Sequence, residues 1–358
     1  MRQHLDAFAN IRPCTFYSRS LLHLSPLKRE IIENTDFVIL RENCGGAYFG
    51  PKVEKNDYAS DTWEYSRAEI ERVARVAGAM AQQHNPPLTV TSADKANVLA
   101  SGRLWRKVVS EVFEREFPEV ELKHQLADSL AMLMITNPRQ FNGVVVTDNT
   151  FGDMLSDEAG GLTGSLGLLP SASLCGVPPT GMGATLSQGE PTGAVGKGVN
   201  GIYEPVHGSA PDIAGQGKVN PVAQILSLAL MLRYSFGMLH EAEMIEKSVE
   251  KVLDGHDIGG MEIRTADLGG KASTSEVGDA VCAVLKQMLA TSTNSSSGGL
   301  TVPGQRPGQQ KRLSMLYAEA KRENERPRSA HKDENLEWEK KLQAMEAEGL
   351  PRHEPLAL

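Results

Sequence analysis

Residues 143–160 read GVVVTDNTFGDMLSDEAG. Val144, Val145 and Val146 form an apolar run without alternation, which suits a strand covered on both faces. The helical pattern that follows carries two aspartates, Asp153 and Asp157, four residues apart and therefore on one helical face. The stretch reads as strand, turn and helix, the unit from which parallel sheets are built. Two carboxylates aimed at one point repel each other unless a cation, a cationic side chain or a shared proton lies between them. The alternative is a solvated face whose acids complement the start of the helix dipole.

Working outward, DFVILR at 36–41 and LTVTS at 88–92 are two further apolar, β-branched runs, and helical patterns at 66–83, 103–117 and 153–163 separate the three strands. This is the alternation of an α/β fold. In such sheets ligands bind beyond the carboxyl ends of the strands. Arg41, Lys95 and Asp153 all stand at or just after such ends, which favours the functional reading of the aspartates.

With 40% hydrophobic and 23% charged residues, most of the 358-residue chain has the composition of an ordinary globular protein. A net charge of −8 gives no general attraction for nucleic acid or an anionic membrane, so any anionic ligand must be held by a local basic site. Cys14, Cys44, Cys175 and Cys282 are far apart and form no metal or disulfide pattern, which suits a reducing, cytoplasmic setting. The apolar run ILSLALML at 225–232 ends at Arg233 and is too short to span a bilayer. The opening MRQHLDAFANIRP lacks the apolar core of a signal peptide.

Residues 178–201 are rich in Gly, Pro, Ser and Thr and read as a surface loop. Their GAVGKG lacks the spacing and the Ser or Thr of a phosphate loop. In EPVHGSAPDIAGQGKVNP at 204–221, glycines allow close backbone approach to a ligand, Asp212 offers acceptors suited to ribose hydroxyls, and Asn220 caps a helix with Pro221 at its first position. A capped surface turn is the alternative. Residues 291–310 read as a flexible linker, and 311–358 as a charged tail, disordered or partly helical.

Arg2, Arg12 and Arg41 stand in polar contexts beside Tyr48 in RENCGGAYFG and Lys95 in SADKANVL. Guanidiniums can grip carboxylates through paired hydrogen bonds, a tyrosine can move a proton, and a neutral lysine amine can act as a base. Taken with RQHLDAFANIRP, DNTFGDMLSDEAG, SLGLLPSASL and EPVHGSAPDIAG, these stretches resemble the β-decarboxylating dehydrogenases, the isocitrate/isopropylmalate dehydrogenase family, and within it the isopropylmalate branch. The motifs occur in the family's order from residue 1 to about 290.

The resemblance implies an α/β, two-domain fold with parallel and mixed sheets flanked by helices. Residues 1–290 would form the dehydrogenase-like part, about 8–185 on the substrate and dimer side and about 186–290 on the cofactor side. It implies NAD-dependent oxidative decarboxylation of 3-isopropylmalate to 4-methyl-2-oxopentanoate, a step of leucine biosynthesis. Arg2, Arg12 and Arg41 would bind the substrate carboxylates, while Tyr48 and Lys95 would transfer protons. Asp128 in LADSLAM, Asp153 and Asp157 would hold Mg²⁺ or Mn²⁺, whose preference for hard oxygen ligands suits carboxylates. Lys95 and Asp128 would come from the partner subunit of a homodimer with shared sites. Asn97 would lie near the nicotinamide, and His207, Gly208, Ser209, Ala210, Asp212, Ile213 and Asn220 would form the adenosine site. Asp212 would repel a 2′-phosphate and so select NAD.

The chain departs from the family pattern at its start. Members begin with a strand and a GDGIGPE-like turn, whereas this sequence opens inside the arginine segment, read as a helix. The first domain is therefore expected to be incomplete, lacking strands, part of the nicotinamide site and the residue that reads the substrate's γ-group. Two alternatives stay open: a tartrate/malate- or homoisocitrate-type dehydrogenase, and an inactive paralogue acting as an interaction protein. GGAYFG favours isopropylmalate over tricarboxylate users, whose motif more often resembles TEGEY.

Overall fold

The computed structural model describes residues 3–178 and 199–295. Most of the 178–201 loop, including GAVGKG, and the chain after 295, with the expected linker and tail, lie outside the described residues. The first half contains β1 (Ala9–Thr15), α1 (Arg29–Ile32), β2 (Asp36–Glu42), β3 (Lys52–Glu54), β4 (Ala59–Asp61), α2 (Arg67–Gln82), β5 (Val90–Asp94), α3 (Ala100–Glu116) and β6 (Leu122–Leu126). The second contains α4 (Ala127–Thr136), β7 (Gly143–Thr147), α5 (Asn149–Thr163), β8 (Pro170–Leu174), β9 (Gly201–Pro205), α6 (Val222–Tyr234), α7 (Leu239–Leu253) and α8 (Thr274–Ser295).

Seven strands form one mixed sheet in the order β6-β5-β7-β2-β1-β8-β9, and β3 and β4 make a separate hairpin. The three strands read from the sequence are β2, β5 and β7, and they are adjacent and parallel. Their carboxyl ends therefore open on one edge of the sheet. β1, β8 and β9 extend it with antiparallel pairings. β8 and β9 flank the expected boundary near 185, so one sheet runs through both expected halves.

The unbroken valine run of β7 is explained by its cover. Val144 and Val146 point into a core shared with Ile70, Val73 and Ala77 of α2 and Trp105 and Val109 of α3. Val145 points the other way, into a core with Leu130 and Met134 of α4 and Leu155 and Ala159 of α5. A third cluster joins Leu226 of α6, Val249 and Val252 of α7 and Val281 of α8 to Leu168. No helix among the described residues is long and apolar enough to cross a membrane.

Two local readings are corrected. Arg12 lies on strand β1, in antiparallel register with β2, and not on a helix. α5 begins at Asn149, capped by Asp148, whose carboxylate accepts the Phe151 N–H at 2.9 Å. Asp153 is thus in the second turn, and Asp148 is the acid that meets the dipole at the helix start. One residue before Asp153, Gly152 lets α5 approach β2 closely: a Cβ there would lie 2.6 Å from Cγ of Arg41 and 2.8 Å from its Cβ.

Gly152→Ala sets a gain in helix propensity of about 1 kcal/mol against this overlap with the base of a buried side chain. Overpacking of that kind costs about 1–3 kcal/mol. The expected outcome is net destabilisation, read as a lower urea midpoint; a raised midpoint would show that α5 is free to move away from β2.

Candidate active site

The site begins where β2 passes α5. Register places Arg41 opposite Thr147 of β7 and opposite Asn10 of β1, so its side chain emerges beside the start of α5. Only 4% of that side chain is exposed, and a buried guanidinium must have its donors met. Nε donates to Oδ1 of Asn149 at 2.8 Å, Nη1 forms a close ion pair with Oδ1 of Asp153, and the guanidinium lies 5.6 Å from the centre of the Tyr48 ring. The Tyr48 hydroxyl donates to the other Asp153 oxygen at 2.7 Å. Burial and this bond to a carboxylate raise the phenol's pKa above its ordinary value.

One turn further along α5 a second pair repeats the pattern. Arg12 donates through Nη1 to Ser156 Oγ and to Asp157 Oδ1, both at 2.8 Å, and through Nε to Asn10 Oδ1 at 3.0 Å. Asn10 is fixed in turn by its amide bonds to Ser171 and Ser173 on β8, each 3.0 Å. The aspartates that raised the first question therefore each face a cationic side chain. Arg2 lies outside the described residues.

Lys95 follows the end of β5, and its ammonium meets Asp128, in the first turn of α4, at 2.7 Å. That bond holds the Asp128 carboxyl below its usual range. The preceding Asp94 is buried and takes two hydrogen bonds from Arg106, at 2.8 and 2.9 Å, and one from the Ala96 N–H, which fixes the turn that carries Lys95. Asn97 is exposed in this turn. Among the described residues no three His, Cys, Asp or Glu side chains gather as a metal cage within one chain. Asp153 and Asp157 share the α5 surface, while Asp128 belongs with Lys95.

The expected adenosine segment leaves β9 at the opposite end of the sheet, because β9 is antiparallel to β8. β5 and β9 are also separated by four intervening strands, roughly 24 Å at the usual strand spacing. Gly208, Ser209, Ala210, Asp212 and Ile213 are exposed; Ala210 is held in the left-handed region with φ 45°, and the His207 ring donates to the Gly208 carbonyl at 2.9 Å. Asn220 differs from them. It is buried, its amide nitrogen donates to Asp267 at 3.0 Å, and its oxygen accepts the Val222 N–H at 3.0 Å, the bond expected of a cap; the helix itself begins at Val222, so Pro221 precedes its first residue. Asp267 also accepts from Ser165, just beyond α5, at 2.6 Å.

The whole arrangement can be set beside known proteins. The family model described as isocitrate/isopropylmalate dehydrogenase matches residues 1–281. The chain belongs to that family. It is 59% identical over 295 residues to the 3-isopropylmalate dehydrogenase of Hapsidospora chrysogena, covering 81% of this chain and 74% of that one. It is 52% identical over 291 residues to the 3-isopropylmalate dehydrogenase of Schizosaccharomyces pombe, covering 81% and 75%. Among solved structures, the isocitrate dehydrogenase of Methylococcus capsulatus matches with a TM-score of 0.62 and 29% identity, over 79% of this chain and 75% of that chain. A protein from Thermus thermophilus matches with a TM-score of 0.63 and 28% identity over 79% of this chain, which spans about half, 51%, of that longer chain.

Within this family member, sequence reading missed the polar residues that hold the arginines. Asn10 could have been found from its place two residues before Arg12, on the same face of a strand. Ser156 lies three residues after Asp153, again on the shared helical face. Asp148 was read with the strand and Asn149 with the start of the helix, so neither the cap nor the bond to Arg41 showed.

Asp148 adds a pH dependence. It is buried and accepts from Phe151 and from the Trp63 indole at 3.1 Å, and burial pushes its carboxyl up to about 7. A carboxyl whose folded pKa lies above the unfolded value of about 3.9 makes the folded state the one that binds more protons between the two. Stability therefore falls as pH rises through that window, by an amount on the order of 4 kcal/mol. Asp148→Asn should remove this dependence: the urea midpoint of the wild type should drop more between pH 5 and pH 8 than that of the variant. Parallel pH profiles would show that Asp148 is ionised throughout.

Proposed function

We propose that the protein oxidises and decarboxylates 3-isopropylmalate to 4-methyl-2-oxopentanoate, with NAD as hydride acceptor and Mg²⁺ or Mn²⁺ as cofactor, in leucine biosynthesis and in the cytoplasm. The observation that carries this reading is the double ion pair of Arg41 with Asp153 and Arg12 with Asp157. Two guanidiniums suit a dicarboxylate, but only if the two aspartates receive a divalent cation in exchange, since otherwise two carboxylates lose their partners. A dicarboxylate and a divalent cation together keep the site neutral. The exposed oxygens of Asp153 and Asp157 are hard donors of the right kind, and Asp128 of the partner subunit would add a third.

Arg12 and Arg41 orient the substrate through its carboxylates. Lys95, supplied by the partner subunit, takes the hydroxyl proton as the hydride leaves. Tyr48, released from Asp153, gives a proton to carbon after CO₂ departs. The bound cation would polarise the substrate oxygen throughout, and NAD would accept the hydride. Asp212, exposed beyond β9, favours NAD because a 2′-phosphate would meet its negative charge. His207, Gly208, Ser209, Ala210 and Ile213 offer the surface for the adenosine, with Asn220 fixing the far end of that segment, and Asn97, in the same turn as Lys95, would reach the nicotinamide from the partner subunit.

A homodimer supports this division of labour. Met132 and Ile135 on α4 and Met154 on α5 are 58%, 47% and 65% exposed, and Phe49, Val53 and Tyr58 add apolar surface on and beside the β3–β4 hairpin. A second copy covering these faces would bring Lys95 and Asp128 to the other subunit's α5.

The first test is steady-state NADH formation with 3-isopropylmalate, isocitrate, tartrate and homoisocitrate, with and without Mg²⁺. The expected outcome is Mg²⁺-dependent turnover that is fastest with 3-isopropylmalate; preference for another acid would sink the substrate assignment. The second test mixes Lys95→Ala and Asp153→Ala proteins, each inactive alone, under conditions of subunit exchange. The mixed dimer should regain activity, because one site then holds intact Lys95 from one subunit and intact Asp153 from the other. No recovery despite demonstrated heterodimers would place both groups in one chain's site.

A further inference from the structure

Asn149 is fully buried at the first position of α5 and its polar atoms reach three different elements. Oδ1 accepts from Nε of Arg41 at 2.8 Å, Nδ2 donates to the Gly45 carbonyl at 2.8 Å, and the backbone N–H donates to the Tyr65 hydroxyl at 2.9 Å. Gly45 precedes the short turn Gly46–Tyr48, and its own N–H is held by the buried Glu42 carboxylate at 2.8 Å, so the entry to the turn is fixed on both sides of this residue. One amide thus touches both the arginine that would bind a substrate carboxylate and the turn that presents the tyrosine.

We infer that Asn149 is a positioning residue that sets Tyr48 for proton delivery through the Gly45 carbonyl while holding Arg41 through its side-chain oxygen. The inference rests on the dehydrogenase reading above and deepens it. The alternative is a helix-start residue that only satisfies buried backbone. Geometry separates the two: a structural role needs only the Gly45 contact and the Tyr65 contact, whereas here the third bond goes to the guanidinium and orders the two chemical groups relative to each other. Burial makes each bond count, because a polar atom left unmet in this interior has no water to turn to.

Asn149→Asp separates the two functions of the amide. It keeps an acceptor for Arg41 and replaces the donor to Gly45 with an oxygen, which repels the carbonyl and frees the turn. A misplacement of about 1 Å can cost a catalyst up to about 100-fold, so kcat should fall by roughly 10- to 100-fold while KM for the dicarboxylate stays within about threefold. In a Tyr48→Phe background the same substitution should lower kcat by less than about threefold, since residues that act as a unit are not additive. Equal losses in both backgrounds, or no loss in the first, would overturn the inference.

Amide hydrogen exchange gives a readout independent of turnover. The N–H groups of Phe49 and Gly50 both bond to the Gly46 carbonyl, at 3.2 and 3.0 Å, and should exchange faster in Asn149→Asp than in the wild type. Unchanged exchange would defeat the positioning role. Faster exchange in a protein whose wild type forms no NADH with any of the four acids would leave the turn-setting role intact and remove the dehydrogenase reading. Should Asn149→Asp fail to fold, Asn149→Ser removes both side-chain bonds, to Arg41 and to Gly45, without placing a charge in the interior and keeps the backbone bond to Tyr65. It should show the same Tyr48-dependent loss of kcat and the same faster exchange, and wild-type values for both would count against the inference.

Discussion

A guanidinium taken out of water must find its hydrogen-bond partners inside the protein, and Arg41 imposes that constraint on everything around it. Its place on β2 is set by the parallel register with β7, which brings it beside the start of α5. Asn149 and Asp153 are four residues apart, one helical turn, and both accept from Arg41. The helix is therefore tied to the strand by chemistry as well as by the apolar packing of Leu155 and Ala159. Move the register of β2 by one residue and the side chain faces the opposite, apolar layer.

The parts of the fold that sequence revealed are those with an unambiguous burial signal. β2, β5 and β7 are covered on both faces, so their apolar runs stand out, with α2 and α3 between them and α5 directly after β7. β1 was obscured for a physical reason. It lies inside the sheet yet contains Pro13, which cannot donate to a ladder, and a proline argues against a central strand. The structure resolves the conflict: β8 pairs only with Ala9, Asn10 and Ile11, so at Pro13 one side of β1 already has no ladder to serve.

Of the site, Arg12, Arg41, Tyr48, Asp153 and Asp157 do come together, and the spacing of the two aspartates showed why they share a face. Their immediate partners were not legible, because Asn10, Asn149 and Ser156 are ordinary polar residues whose meaning depends on which strand lies beside them. Lys95 and Asp128 were legible as groups of one subunit but not as an ion pair with each other, since their contact joins the end of β5 to the start of α4. Asn220 shows the opposite case: it was legible as a helix cap, and its oxygen does accept the Val222 N–H, while its bond to Asp267 depends on a loop that no local pattern announces.

The missing side chain at Gly152 has a consequence for time as well as for space. With no room for even a Cβ between α5 and the stem of Arg41, the helix backbone lies directly against the base of that side chain and cannot come closer to the strand. Any exchange of partners at this place falls to the tips of the arginines and to the carboxylates of Asp153 and Asp157, which lie toward solvent. Rotations of such groups run in picoseconds to nanoseconds, whereas backbone rearrangements of domains take microseconds to milliseconds. Opening on the Asp157 side, where the carboxylate is 70% exposed, belongs to the fast class, whereas the Arg41–Asp153 pair cannot exchange partners without leaving a buried guanidinium unmet and is therefore the slower of the two.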